Sequence, residues 1–524
     1  MIRKVYEKVS SRKLYFVLFF LLLTLLSSLN IFHSGLISGD DINFHMHRVI
    51  AIVDNVRIGK YVPVYYNYLN GFGYGNGLFY PDLFLFIPAL FNYFGLSLVL
   101  SLKIFIFIIN FVSIYAMYLC VYKITKEKKC AYLSMILYAL ANYRLVDFAS
   151  RGALGEMISF VFFPFIVLGL YEVFFGDSKK GYYLTIGLSG LCFSHVISFY
   201  LMCFFSVLFI IFNIKCLKDK SRLKSLVFYI FLAMLITIHF WLPLLEQLIF
   251  DSFRVDAHRK IFENVIPIYF LFLDIPYNVI TDYYIAGIGI IYYIGLFKYF
   301  KRIKDDRFLF TIMFLGVLAT LFSSIKFIWK IDLFYKLFSV IQFPWRFYIC
   351  STVFFIIGFS IIFKYNRFNS FIKFCLIYIV VIFVFNSFIF SFNLYLNKPL
   401  KDEVMVGEYL PKDFNLDIID NYSNKYIEYK RNYNVLEVSV IKNVEKVELP
   451  LIYYKGYEAC NTNECYEVFK TDNGLVGVYI NNEITNFDVE YKGTKIYKAT
   501  IYLSIIGLIL LMLIICRSRC DKKY

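Results

Sequence analysis

Between residues 40 and 48 the chain crowds two carboxylates, two imidazoles and a guanidinium: Asp40, Asp41, His45, His47 and Arg48. A carboxylate can take a proton from a hydroxyl, a guanidinium can hold anionic oxygens, and an imidazole can orient either. Asp41, His45 and Arg48 stand at i, i+4 and i+7, so on a helix they share one face. Ile42, Met46, Val49, Val53 and Val56 recur at the same helical interval and form an apolar stripe. The pattern predicts an amphipathic helix over 41–58 that lies along a membrane surface. A plainer reading stands beside it. Asp is a favoured helix cap, and Ser38 with Asp41 has the outline of a capping box. Capping leaves His45 and Arg48 unexplained.

Groups of the same kind recur farther along. "SRGALGEM" carries Arg151 and Glu156, "SHVIS" carries His195, and "QFPWR" ends at Arg346. Glu246, Arg254, His258 and Arg259 follow the seventh apolar segment. Each has a local reading as well. Arg151 with Glu156 suits an ion pair at a tight turn, His195 suits a turn, and Trp with Arg suits a membrane interface. Charged groups at membrane depth are costly and usually face a cavity. Polar groups of this kind in five loops therefore predict one shared polar cavity, provided the loops lie on the same side.

The elements that must position them are membrane helices. The chain has 524 residues, 60% hydrophobic and 18% charged, whereas soluble domains run near half apolar and a quarter charged. Apolar runs of about 18–22 residues recur from end to end, the length that crosses a bilayer. The net charge of +16 sits largely in Lys and Arg clusters between those runs. Such clusters read as topology signals and anionic-lipid contacts, not as a nucleic-acid surface. The first run, 14–32, lacks a small-residue cleavage site and reads as a retained helix. About twelve spans are predicted, roughly 14–32, 97–121, 130–148, 157–175, 181–195, 199–214, 225–246, 284–300, 308–325, 346–364, 371–391 and 499–516. Both termini then lie in the cytoplasm, and the loops carrying the polar groups lie outside. Residues 79–94 are apolar but contain Pro81, Asp82 and Pro88, and counting them would invert the loop holding Lys123 to Lys129. They are expected as a non-crossing interfacial or re-entrant element.

The chain divides into a multi-span module, 1–391, whose first outer loop is 33–96; a polar segment, 392–498; and a last span with a cytoplasmic tail, 499–524. Alternating runs such as "VLEVSVI" and "FDVEY" predict that 392–498 is a small, mostly β extracytoplasmic domain. Cys460 and Cys465 lie close together in it, and a disulfide suits that compartment.

A long first outer loop with an acidic motif, followed by interfacial helices, resembles the GT-C glycosyltransferase superfamily. In order, "GDDINFHMHR", "FYPDLFLF", "RGALGEM", "QFPWRFY", "GEYLP" and "YYKGYEA" resemble the bacterial 6-pyruvoyl-tetrahydropterin synthase-related membrane proteins, which are similar to YfhO-type proteins. The resemblance covers nearly the whole chain. It implies an all-α polytopic fold of the GT-C kind with the small β domain before the last helix. It also implies an enzyme that moves a sugar from a polyprenyl-phosphate donor to a cell-envelope glycan or lipid acceptor on the outer leaflet. Its partners would be membrane lipids, that donor and that acceptor. The first-loop Asp acts as general base in such enzymes, a role that falls here on Asp41, with Asp40 as the alternative. A sugar leaving a phosphate needs cations on the departing charge; Arg48, Arg151 and Arg346 are the candidates, with Glu156, His45 and His195 lining the same site. His45 with Asp40 and Asp41 would also suit a divalent cation, but the sequence assigns no metal. The alternative is a non-catalytic or transport protein for lipid-linked envelope glycans. A transporter should carry ionisable groups at mid-span and inverted repeats; the chain shows few of the former and no clear sign of the latter.

Overall fold

The computed structural model describes residues 2–32, 35–36, 41–254, 261–272, 277–280, 283–285, 287–365, 370–396, 407–480 and 484–520. Asp40, His258 and Arg259 lie outside the described residues. The chain is mostly helical. Among the described residues six helices are long and apolar enough to cross a membrane: Leu98–Thr125, Leu154–Phe174, Lys220–Phe250, Arg307–Ser324, Pro344–Lys364 and Lys495–Ser518. Shorter apolar helices stand at Leu14–Leu26, Leu83–Tyr93, Val196–Phe212 and Lys373–Asn386.

Other expected spans are shorter still. The stretch 130–148 resolves into Lys128–Ala139 and Asn142–Val146, because the chain is extended at Ala141. Tyr182–Cys192 has 11 residues and Ile290–Lys298 has 9. At 1.5 Å per residue these two cover about 14–17 Å of a core about 30 Å thick. The helix lengths support a multi-pass membrane protein and do not establish twelve full crossings.

The bundle is built around Leu154–Phe174, which packs on Leu98–Thr125 and on Tyr182–Cys192. Arg307–Ser324 packs on Phe347–Tyr365, and Lys220–Phe250 on the last helix, Lys495–Cys520. The first-loop helix runs from Ile42 to Arg57, with Ile42, Val49, Ile52 and Val53 buried. Residues 79–94 contain no crossing helix. The chain is extended at Tyr80, as suits a residue before proline, and then forms a tight turn at Leu83–Leu85 and the helix Phe86–Tyr93. Eight residues rise about 12 Å, less than half a bilayer core.

The domain before the last helix is β. Its larger sheet orders Ile427–Asn432, Val435–Val440, Asn486–Tyr491, Tyr457–Cys460 and Cys465–Tyr466, with every neighbour antiparallel. A second sheet orders Lys446–Ile452, Leu475–Tyr479 and Val468–Lys470. Cys460 faces Cys465 across neighbouring strands and the two form a disulfide. The domain rests on the loop that follows the first apolar helix. Ile452 N–H donates to the Phe72 carbonyl at 2.9 Å. The Tyr74 hydroxyl accepts from the N–H groups of Gly407 and Tyr409, at 3.3 and 3.2 Å. The Phe79 and Tyr409 rings stack with centroids 5.2 Å apart.

Candidate functional site

Asp41 occupies the N-cap position of the first-loop helix, yet its carboxylate makes no capping hydrogen bond. Its backbone N–H donates to the Arg151 carbonyl at 3.4 Å. The start of the first-loop helix is thereby tied to the wide π-turn Asp147–Arg151 that precedes Leu154–Phe174. Single π-turns of this sort recur at functional sites, because the extra residue re-aims a side chain. Gly152 closes the turn at φ +62, where a Cβ would press on Ile42. Gly155 is needed for space: a Cβ there would strike the Tyr80 hydroxyl and lie 3.1 Å from the His195 ring.

Behind Asp41 lies a buried ion cluster. Arg151 Nη1 bonds Asp147 Oδ1 at 2.6 Å and Glu156 Oε2 at 3.1 Å, while Nη2 reaches Glu156 Oε1 at 3.3 Å. The Tyr143 hydroxyl also donates to Glu156, at 3.0 Å. From another helix start, Arg346 Nε donates to Glu156 Oε1 at 3.2 Å. Arg346 Nη1 is taken by the Ile341 carbonyl at 2.8 Å and by Gln342 Oε1 at 3.1 Å. Its Nη2 has no hydrogen-bond partner among the described residues, so one charged N–H₂ group remains available to an anion. Glu408, from the "GEYLP" segment, accepts from Gln342 Nε2 at 3.0 Å.

The electrostatics of Asp41 follow from this setting. Burial pushes its carboxyl above the ordinary carboxylate range, Arg151 and Arg346 pull it back, and Glu156 and Glu408 push it up again. Three separate stretches of chain thus place charge around Asp41: Arg151 with Glu156, Arg346, and Glu408.

Arg48 has different neighbours from those expected of it. Its guanidinium is fully buried and pairs with Asp82 Oδ1 through Nη2 at 2.5 Å and Nε at 3.1 Å. Nη2 also donates to the Pro81 carbonyl at 2.7 Å, and the group lies over the Tyr80 ring at 4.3 Å. Asp82 in turn accepts from the hydroxyls of Tyr61, at 2.6 Å, and Tyr65. Arg48 therefore clamps the first-loop helix to the 79–94 element, and an anion would have to displace Asp82 to reach it. His45 Nδ1 lies 3.1 Å from Arg48 Nη1 and accepts from it, which puts the imidazole proton on Nε2. Burial and the Arg48 charge hold its pKa well below that of ordinary histidine, so it is neutral at neutral pH. His195 caps the helix Val196–Phe212, its Nδ1 accepting from Ser198 N–H at 3.3 Å, and its ring faces Tyr80 with centroids 6.0 Å apart.

Two further residues join the β domain and the segment before it to the bundle instead of the cluster. Glu246 accepts from Thr494 Oγ1 at 2.5 Å and pairs with Lys455. Arg254 N–H donates to the Leu410 carbonyl and its side chain to the Phe414 carbonyl. Among the described residues no group of three His, Cys, Asp or Glu side chains is placed to hold a metal ion. His45 Nδ1 already accepts from a guanidinium, so the Asp41–His45 pair does not fit a cation. The sequence reading missed Asp82, Tyr143, Asp147, Gln342 and Glu408. Asp82 and Glu408 stood inside motifs that had been singled out; the acid in each was the available signal.

No protein-family model matches the chain. No curated protein sequence matches it. Among solved structures it is similar to the archaeal oligosaccharyltransferase AglB from Archaeoglobus fulgidus, in complex with an inhibitory peptide and a dolichol-phosphate, at 13% identity and a TM-score of 0.43. The match covers 74% of this chain, and the chain spans 57% of the length of that structure.

Proposed function

We propose that the chain is an outer-leaflet glycosyltransferase of the GT-C kind, moving a sugar from a polyprenyl-phosphate donor to an envelope glycan or lipid acceptor. The observation that carries this reading is the uncommitted Asp41 carboxylate beside Arg151 and Arg346. Asp41 takes the proton of an acceptor hydroxyl. The acceptor oxygen attacks the anomeric carbon, the bond from that carbon to the phosphate oxygen breaks, and its electron pair leaves on the phosphate. Arg346, through its spare Nη2, meets that charge, with Arg151 behind it. Arg48 acts as a clamp through Asp82 and keeps the first-loop helix in place. The outward orientation draws support from the Lys and Arg clusters and from the Cys460–Cys465 disulfide. The narrower resemblance, to the 6-pyruvoyl-tetrahydropterin synthase-related and YfhO-type proteins, rests on the ordered motifs alone. One observation favours the non-catalytic reading: Glu156 already bonds both arginines, as it would in a purely structural cluster.

The test of the reading is incorporation of labelled sugar from a polyprenyl-phosphate donor into envelope polymer, in a strain lacking the chromosomal copy. Full activity in a protein with both Asp40→Asn and Asp41→Asn would reject catalysis and leave the non-catalytic alternative. Orientation is tested separately. Externally added thiol reagent should label a cysteine placed at Asn421 and spare one placed at Lys126; the reverse would put the cluster on the wrong face for this chemistry.

A pH profile follows from the Asp41 environment. The base must be ionised, so transfer falls as pH drops through its pKa. Burial raises that pKa, so the acid limb lies above that of an exposed aspartate. Arg346→Met removes a positive neighbour and moves the limb to higher pH. Glu408→Gln removes a negative one and moves it lower. Rates measured against pH at saturating acceptor give the three limbs; coincident limbs would show that Asp41 is not the titrating group.

A further inference from the structure

Gln342 stands out in the backbone. It is one of five non-glycine residues at positive φ among the described residues, with φ +68 and ψ −44. Phe343 N–H donates back to the Ile341 carbonyl at 2.8 Å across it. That is a classic γ-turn, which is rare and strained, and such a residue persists only where its surroundings hold it. What the turn achieves is the aim of one side chain. The Gln342 amide sits between two charged groups, its oxygen accepting from Arg346 Nη1 at 3.1 Å and its nitrogen donating to Glu408 at 3.0 Å. Gln342 is half-buried and Glu408 is exposed. The pair therefore forms the solvent side of the cluster whose inner side is Arg346, Glu156 and Arg151.

Beyond the bonds they already make, the Glu408 carboxylate keeps a second acceptor oxygen and the Gln342 amide keeps its second N–H donor. Neighbouring hydroxyls on a sugar ring present alternating donors and acceptors at matching spacing. Arginines hold an anion; this pair is suited to a neutral, hydroxyl-rich group, and Glu408 stands within electrostatic reach of Asp41. We propose that Glu408 and the Gln342 amide form the acceptor subsite and that the acceptor presents neighbouring hydroxyls, as a saccharide does. The inference rests on the glycosyltransferase reading and adds the acceptor class and its contact residues. Glu408 accepts from one hydroxyl and Gln342 donates to the next. The acceptor oxygen that reacts is thereby turned toward Asp41.

The experiment is saturation-transfer NMR on the full chain in lipid nanodiscs. The probes are the methyl glycosides of glucose, galactose, mannose and N-acetylglucosamine, and undecaprenyl phosphate binding is measured on the same samples. Wild type should give saturation transfer to at least one glycoside. Glu408→Gln removes a charge-assisted bond and Gln342→Gly removes the amide, so each should weaken that glycoside about tenfold or more. Undecaprenyl phosphate binding should be unchanged in both. Gly suits a positive φ, so Gln342→Gly relieves the strained turn. A merely structural role would leave it as competent as wild type. No transfer to any glycoside in wild type, or wild-type transfer in both variants, overturns the proposal. Failure of wild type to bind undecaprenyl phosphate would instead count against the lipid-donor reading, and the glycoside result would still decide the subsite.

Discussion

Replacing Asp41 by asparagine is expected to lower sugar transfer by about two to four orders of magnitude, the range that a positioned general base supplies. Asparagine keeps the size of the side chain and is itself a good helix cap. In the structure the Asp41 carboxylate makes no capping bond, so the stability of the first-loop helix has nothing to lose. Removing the negative charge beside Arg151 and Arg346 leaves donor phosphate binding intact or slightly stronger. The expected signature is therefore a loss of kcat with donor affinity retained. Arg346→Ala should differ by weakening donor binding and turnover together, because it removes a charge-assisted contact. Labelled-sugar incorporation and undecaprenyl phosphate binding, measured on both variants, separate the two patterns. Equal losses of donor binding in both would remove Asp41 from the base role.

The second large effect is on folding. Glu156 is 2% exposed and is the common partner of Arg151, Arg346 and the Tyr143 hydroxyl. Glu156→Gln keeps the shape and removes the charge, which leaves two buried guanidiniums facing an amide that also presents a donor. Breaking a buried ion pair from one side typically costs about 3–5 kcal/mol, and a loss of that size is expected here. Asp147 still pairs with Arg151, which places the cost toward the lower end. Unfolding in detergent, followed by denaturant titration, gives the number. Glu408→Gln is the matched control, since its carboxylate is exposed and should change stability by no more than about 0.5 kcal/mol. A Glu156→Gln protein as stable as the control would show that the cluster does not bear on the fold.

Much of the site's local geometry was legible because it is written at short range. The apolar stripe from Ile42 to Val56 specifies the first-loop helix to within a residue or two of its observed ends. Pro81 and Asp82 mark the 79–94 element as unable to continue a helix, and the observed break lies at Tyr80. Strand-like alternation located the β domain, and the spacing of Cys460 and Cys465 anticipated their bond. What was not legible depends on distance along the chain. Asp82 is 34 residues from Arg48 and Glu408 is 66 from Gln342, so no local pattern pairs them. Hydropathy read 130–148 as one span because its apolar residues outweigh Asn142, Arg144 and Asp147. The break comes from backbone conformation at Ala141, and the π-turn after it aims Arg151 at Glu156. The strand pair Tyr277–Ile280 and Tyr283–Ile285 also went unseen, being too short to show a period.

The seating of the β domain on the first loop imposes a schedule on biosynthesis. The Tyr66 and Tyr457 hydroxyls that meet across that contact are 391 residues apart. At roughly 5–20 residues per second of chain elongation, the early loop is made about 20–80 s before its cover exists. Through that interval Phe72, Tyr74 and Phe79, buried in the finished protein, have no β domain to rest against. The nascent loop is thus a natural client for chaperones on the side of the membrane to which it is delivered, and the order of synthesis makes closure of the cluster one of the last events in assembly.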